Sequence, residues 1–248
     1  MTPAEFFGEK KSAELLRALE KALGRRFSSP DAPLRALAHR SLCGGEGKVP
    51  DNERLEFLGD AVVNYLVVDE LFRRYPGDDE GKLSALKSKL VGTGAFARCS
   101  AELGLPELLQ MSESARRSGT RERLNIREDV FEAVMGALYL DGGLEAVREV
   151  LGRVLFVRFE EWGRDDSLEN WKGILNERLQ AAGLGAARYR VVGTEGPAHA
   201  LRFVVEVLAG DRVLARGEGT TKLGAEQAAA REATRNRPDA GAPEKEGR

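Results

Sequence analysis

Two periodicities divide the chain. From residue 12 to residue 162 apolar positions recur every three or four residues, the period of helices that bury one face, and from residue 189 they alternate, the period of strands. Leucines spaced through residues 12–24 predict a first helix, with Gly24 where a C-terminal cap belongs. Pro30-Asp31-Ala32-Pro33 starts a second through Leu34, Leu37 and Ala38, ending near the loop Gly44-Gly45-Glu46-Gly47. Residues 52–68 predict a third, with Leu55, Leu58, Val62 and Leu66 on one face. Beyond Asp60 this helix is apolar nearly all round, which marks it as buried on most sides. Residues 75–81 break the chain and a helix resumes over Lys82–Ala97. A mostly apolar helix over 129–140 stops at Asp141-Gly142-Gly143, and Leu144–Trp162 supplies one more amphipathic helix.

After the polar stretch Gly163-Arg164-Asp165-Asp166-Ser167 the pattern changes. Helical spacing in Trp171–Ala182 gives way to alternation in residues 189–192, 200–208 and 212–215, and an alanine-rich helix follows over Gly224–Arg235. The order is α-β-β-β-α. The expected architecture is therefore multidomain α+β: an all-α domain over 1–163, a linker over 164–168, the α-β-β-β-α domain over 169–237 and a disordered tail over 238–248.

At 42% hydrophobic and 31% charged residues, the composition of this 248-residue chain is that of a soluble globular protein. The charged N-terminal stretch lacks the apolar core of a signal peptide, and no apolar run could span a bilayer, so a cytoplasmic protein without membrane attachment is expected. Cys43 and Cys99 form neither a disulfide framework nor a Cys-x-x-Cys motif. The net charge of −2 argues at first against a nucleic-acid partner, yet it is unevenly spread. Residues 1–166 hold 25 basic against 29 acidic side chains, whereas residues 167–237 hold 11 against 8.

Candidate chemistry lies on the buried helices. Glu53, Glu56 and Asp60, at spacings of three, four and seven, share one stripe of the third helix. On a surface helix such a stripe needs only solvent, but carboxylates on a buried helix must be protonated, paired with a base or bound to a cation. Asp129 and Glu132, one turn apart on the second mostly apolar helix, answer them. Two such helices can meet in an all-oxygen site suited to a hard cation, Mg²⁺ or Mn²⁺. With only His39, His199 and two distant cysteines, a zinc site has no visible ligands. His39 reads as a packing or hydrogen-bonding residue, since no Ser or Cys nucleophile accompanies it by motif. No Gly-x-x-x-x-Gly-Lys-Ser/Thr loop is present, so no nucleotide cofactor is expected.

Asn52-Glu53-Arg54-Leu55-Glu56-Phe57-Leu58-Gly59-Asp60-Ala61 resembles the signature of the ribonuclease III family of double-strand-specific RNA endonucleases. Ala38-His39-Arg40-Ser41, Asp79-Glu80-Gly81-Lys82-Leu83-Ser84 and Asp129–Asp141 match in the same order. The resemblance implies metal ligands Glu56, Asp60, Asp129 and Glu132, with Asp60 and Glu132 central to catalysis and Glu53 and Glu80 supporting. It implies products with 5′-phosphate and 3′-hydroxyl ends and short 3′ overhangs, action in processing rRNA precursors and other structured transcripts, and a homodimer in which each subunit cuts one strand. Phe57 reads as a core residue, with a dimer contact as the alternative. The chain departs from the family at Arg127-Glu128, where small apolar residues are common.

Residues 169–237 resemble a double-stranded RNA-binding domain through Glu195-Gly196-Pro197-Ala198-His199 and Gly217-Glu218-Gly219-Thr220-Thr221-Lys222. Such domains read A-form shape across two minor grooves and the phosphates between them. The resemblance places Asn176, Glu177 and His199 toward minor grooves, and Thr221 and Lys222 toward phosphates at a helix N-terminus. Leu223 and Asn176 depart from the family's usual basic residue and Gln. Lys87, Lys89 and the arginines at 116, 117, 121, 123 and 127 are further candidates for phosphate contact or plain surface charge. The rival readings are a non-catalytic RNA-binding protein of the same fold, which the complete acid set opposes, and a nuclease acting on DNA, which the appended domain opposes.

Overall fold

The computed structural model describes residues 2–42, 51–165, 170–196 and 201–236, and the chain forms two compact units, Met1–Glu169 and Asn170–Arg248. The expected ends of the linker (166–168) and tail (238–248) lie outside the described residues.

The described part of the first unit is helical: α1 (Pro3–Phe7), α2 (Glu9–Leu23), α3 (Asp31–Ala36), α4 (Glu53–Arg74), α5 (Glu80–Leu90), α6 (Thr93–Glu102), α7 (Leu105–Leu108), α8 (Glu113–Arg117), α9 (Leu124–Val154) and α10 (Phe159–Gly163). Gly24 caps α2 in the left-handed region at φ 62°, as its position predicts. α4 and α9 form the centre. Residues 130–138 of α9 are buried without interruption, which is why their pattern is apolar on every side. They pack against Val62, Val63, Leu66 and Val67 of α4 and Phe96 of α6 within one core.

Three expectations change in detail. The helix expected over 82–97 is two, because the chain leaves helical geometry at Val91-Gly92 and Gly92 takes an extended conformation before α6. α9 carries its break at Gly143, φ 68° and ψ −167°, as the Asp-Gly-Gly stretch predicts, but its second half ends at Val154 and a 3₁₀ turn (Phe156–Arg158) precedes α10. Phe57 is not a core residue. It is 81% exposed and heads a stripe on α4 formed with Tyr65, Val68 and Phe72, all exposed.

In the second unit α11 (Trp171–Ala181) and α12 (Lys222–Arg235) cover one face of an antiparallel sheet of order β1 (Arg188–Glu195), β2 (Arg202–Ala209), β3 (Arg212–Gly219). Leu175, Leu179, Val207, Ala229, Ala230 and Ala233 form its core. β3 lies so close to α12 that a methyl group on Gly217 would stand 2.1 Å from the Ala229 nitrogen, and one on Gly219 2.5 Å from the Ala225 nitrogen. On the other face Glu206 is held between Arg190 and Arg216, its partners across both strand pairs.

Candidate active site

The site is made where α4 and α9 cross with their backbones in contact. A methyl group on Gly59 would sit 1.8 Å from the Glu132 carbonyl oxygen, and one on Gly136 would sit 2.3 Å from the Leu55 carbonyl oxygen. Only two glycines allow that approach. The crossing sets Glu56 and Asp60, on either side of Gly59, against Asp129 and Glu132.

Glu132 is 8% exposed, and among the described residues its carboxylate has no hydrogen bond or ion pair. Burial, and then the negative charges of Glu128, Asp60, Glu56 and Asp129, push its pKa up to about 9. Glu56 is pushed up to about 7 by burial, Asp129 and Glu53, against the pull of Arg40. Burial also raises Asp129, again against Arg40. Asp60 lies at the exposed edge, where Asn64 donates to its Oδ1 at 2.6 Å. Glu53 pairs with Arg40 at 3.3 Å.

Sequence reasoning missed two members of this group. Glu128, half-buried, stands one turn before Glu132 on the same stripe, a position legible from the spacing of four. Arg40 reaches the acids from the 3₁₀ turn Arg40–Leu42, where only the family motif pointed to it. His39 beside it is buried, its pKa lowered by burial and by Arg40. Its Nδ1 accepts from the Ser41 backbone N–H at 3.1 Å, and its backbone N–H donates to Gln110 at 2.9 Å, so it serves as a hydrogen-bonding anchor.

The donor set fits a hard divalent cation: four carboxylates, one of them buried without a counter-charge. Among the described residues no three His, Cys, Asp or Glu side chains are gathered tightly enough to hold an ion as they stand. Like charges on facing helices repel one another, and burial adds to the cost of ionising them. Burial and repulsion together have a measurable consequence. Folded Glu56 and Glu132 keep protons that the unfolded chain releases near its ordinary 4.5, so this contribution is whole below about pH 4.5 and is lost as pH rises through about 7 and then about 9. The Tm of the cation-free protein should fall between about pH 6 and pH 9, and Glu132→Gln should flatten the fall. A Tm that rises with pH over that range would contradict the raised pKa values of Glu56 and Glu132.

The same fold recurs in known proteins. Residues 31–159 match the family model described as ribonuclease-III-like, and residues 171–237 match that of the double-stranded RNA binding motif. Ribonuclease 3 of Bacillus cytotoxicus is 38% identical over 92% of this chain and 93% of its own length. The chain belongs to the ribonuclease III family. Ribonuclease 3 of Geobacter sulfurreducens is also 38% identical, over 86% of this chain and 87% of its own. A solved nuclease domain of ribonuclease III from Campylobacter jejuni, described for structural flexibility in a region involved in dimer formation, is 34% identical. It covers 58% of this chain and 99% of its own, with a TM-score of 0.54. As a member of the ribonuclease III family this chain is an endoribonuclease of double-stranded RNA, and the family is in general dependent on divalent metal.

The remaining residues suggested by the ribonuclease III signature are less closely gathered. Glu80 stands in the first turn of α5 and accepts from Ser84 at 2.8 Å; it is not among the charges that shift Glu56, Asp129 or Glu132. Arg116 and Arg117 pair with Glu113, and Arg121 donates to the Leu109 carbonyl at 3.0 Å. In the second unit Glu177 is exposed, whereas Asn176 Oδ1 accepts from Ala187 N–H at 2.8 Å and so joins α11 to the start of β1. Thr221 caps α12 by accepting from Gly224 N–H at 3.0 Å, and Lys222 is exposed in its first turn. His199 lies outside the described residues. Among the described residues no helix is long and apolar enough to cross a membrane.

Proposed function

We propose that Glu56, Asp60, Asp129 and Glu132 hold Mg²⁺, with Mn²⁺ as a substitute, and that this group hydrolyses duplex RNA. The observation that carries the assignment is the buried Glu132, unpartnered among the described residues and subject to the charges of Asp60, Glu56 and Asp129 at the glycine crossing. When bound, the cation supplies an activated water and neutralises charge on the attacked phosphate and the leaving oxygen. The protein's own part is position. Two helices in backbone contact fix the four Cα atoms, Asn64 orients Asp60, and the apolar run around Glu132 keeps water from its buried side. No protein nucleophile is needed, and the products carry 5′-phosphate and 3′-hydroxyl ends with short 3′ overhangs. Glu53 and Glu80 support the site. The second unit supplies duplex affinity through Asn176, Glu177, His199, Thr221 and Lys222. Its natural substrates are rRNA precursors and other structured transcripts in the cytoplasm. Labelled duplex RNA, single-stranded RNA and duplex DNA, each with and without Mg²⁺, test the reading: only duplex RNA with Mg²⁺ should be cut.

The exposed stripe Phe57, Tyr65, Val68 and Phe72 supports a homodimer about α4, because so many large apolar side chains on one helix face call for cover. A two-fold axis would present one site to each antiparallel strand in the same chemical orientation. Purified heterodimers of wild-type and Asp60→Asn chains should nick one strand per binding event. Double-strand breaks as first products, or cleavage by a monomer in sedimentation, would contradict this arrangement.

A further inference from the structure

We infer that Arg40 is the internal counter-ion of the acid group and exchanges its carboxylate partner for a backbone phosphate of duplex RNA when a divalent cation occupies the acids. The inference rests on the assignment of that group as the cation site.

The guanidinium lies 3.3 Å from Glu53, and its positive charge favours the ionised forms of Glu56 and Asp129 against their burial. Its stem is fixed. His39 N–H donates to Gln110, Asn52 N–H donates to Ala38 at 3.0 Å, and Ser41 Oγ accepts from Ser112 N–H at 2.9 Å while also contacting His39 Nδ1 at 2.9 Å. The residues flanking Arg40 are thus tied to the start of α4 and to the segment before α8.

The head is not fixed in the same way. The Arg40 side chain is 70% exposed and Glu53 is 52% exposed. An ion pair that open to solvent contributes at most about 1 kcal/mol, so little is lost when it opens. A divalent cation on Glu56 and Asp129 cancels the charges that draw the guanidinium inward and repels it directly. What then remains is a planar fork of donors, anchored at the edge of a site that a phosphodiester must approach, with the geometry that matches phosphate oxygens. Arg40 is therefore a substrate-positioning residue rather than a support for the fold.

The test uses the full chain as wild type, Arg40→Gln, Arg40→Lys and Glu132→Gln. Calorimetric titration with Mg²⁺ alone should show Arg40→Gln binding about threefold tighter, since a competing positive charge is gone. For duplex RNA its KM should rise about fivefold with kcat nearly unchanged, and the slope of log KM against log salt should lose about 0.9, the share of one phosphate contact. Arg40→Lys should restore the cation affinity and only part of KM, because a point charge lacks the fork. Weaker Mg²⁺ binding in Arg40→Gln, or an unchanged KM and salt slope, overturns the role of Arg40 while Glu132→Gln still loses Mg²⁺. Mg²⁺ binding undiminished in Glu132→Gln removes the cation site itself, and the inference with it.

Discussion

Glu132→Gln should lower kcat on duplex RNA by about a thousandfold or more, the rate equivalent of about 4 kcal/mol of lost charge stabilisation. The substitution keeps the volume of a side chain that is 8% exposed and packed in the uninterrupted buried run of α9, so the crossing with α4 survives. It removes a buried carboxylate on which four other acids act and which, among the described residues, no base answers. Duplex binding, which the proposed function assigns to the second unit, should stay near wild type. The cation-free variant should also melt higher than wild type at about pH 8, because Gln carries neither the burial cost nor the repulsion that raises the pKa of Glu132. A variant that turns over normally at millimolar Mg²⁺ would make Glu132 a structural acid.

The second large effect concerns stability. Gly59→Ala should cost about 3 kcal/mol or more, because the added methyl group would meet backbone 1.8 Å away and a helix backbone cannot turn aside as a side chain can. Gly136→Ala, with the Leu55 carbonyl at 2.3 Å, should behave alike. Gly152→Ala is the control. It lies in the second half of α9 with nothing within 4 Å of an added methyl group, so it should stabilise by about 0.5–1 kcal/mol through helix propensity alone. Urea denaturation of the three variants separates close approach from propensity. Equal, small effects at all three positions would mean that the helices do not touch at the glycines.

The acids were legible because their spacing is local: Glu56 to Asp60 and Asp129 to Glu132 are each one turn of a helix whose surroundings betray burial. The α-β-β-β-α order was legible for the same reason, since period two and period 3.6 differ within a few residues. What escaped depends on chain segments far apart. No local pattern gives Gly59 and Gly136 a role; only the crossing shows that each stands against the other helix's backbone. The break at Val91-Gly92 is masked by apolar spacing that runs on through Phe96. Arg40 meets Glu53 across a stretch that carries no periodicity. Glu128 stands out in the sequence only as a departure from the family's small apolar residues, and it adds one more charge to the acid group. Phe57 shows the limit of reasoning from residue type, for a large aromatic on a central helix lies 81% exposed.

All of this turns on whether the carboxylates of α4 and α9 gather around a cation. Crystals of the full chain grown or soaked with Mn²⁺, measured at a wavelength where manganese scatters anomalously, place the ion without reference to activity. The account predicts an anomalous peak within coordination distance of Glu56, Asp60, Asp129 and Glu132, with the side chains drawn together, and its loss in Glu132→Gln. A peak bound elsewhere on the chain, with these four side chains left apart in a protein that still cuts duplex RNA, would contradict it.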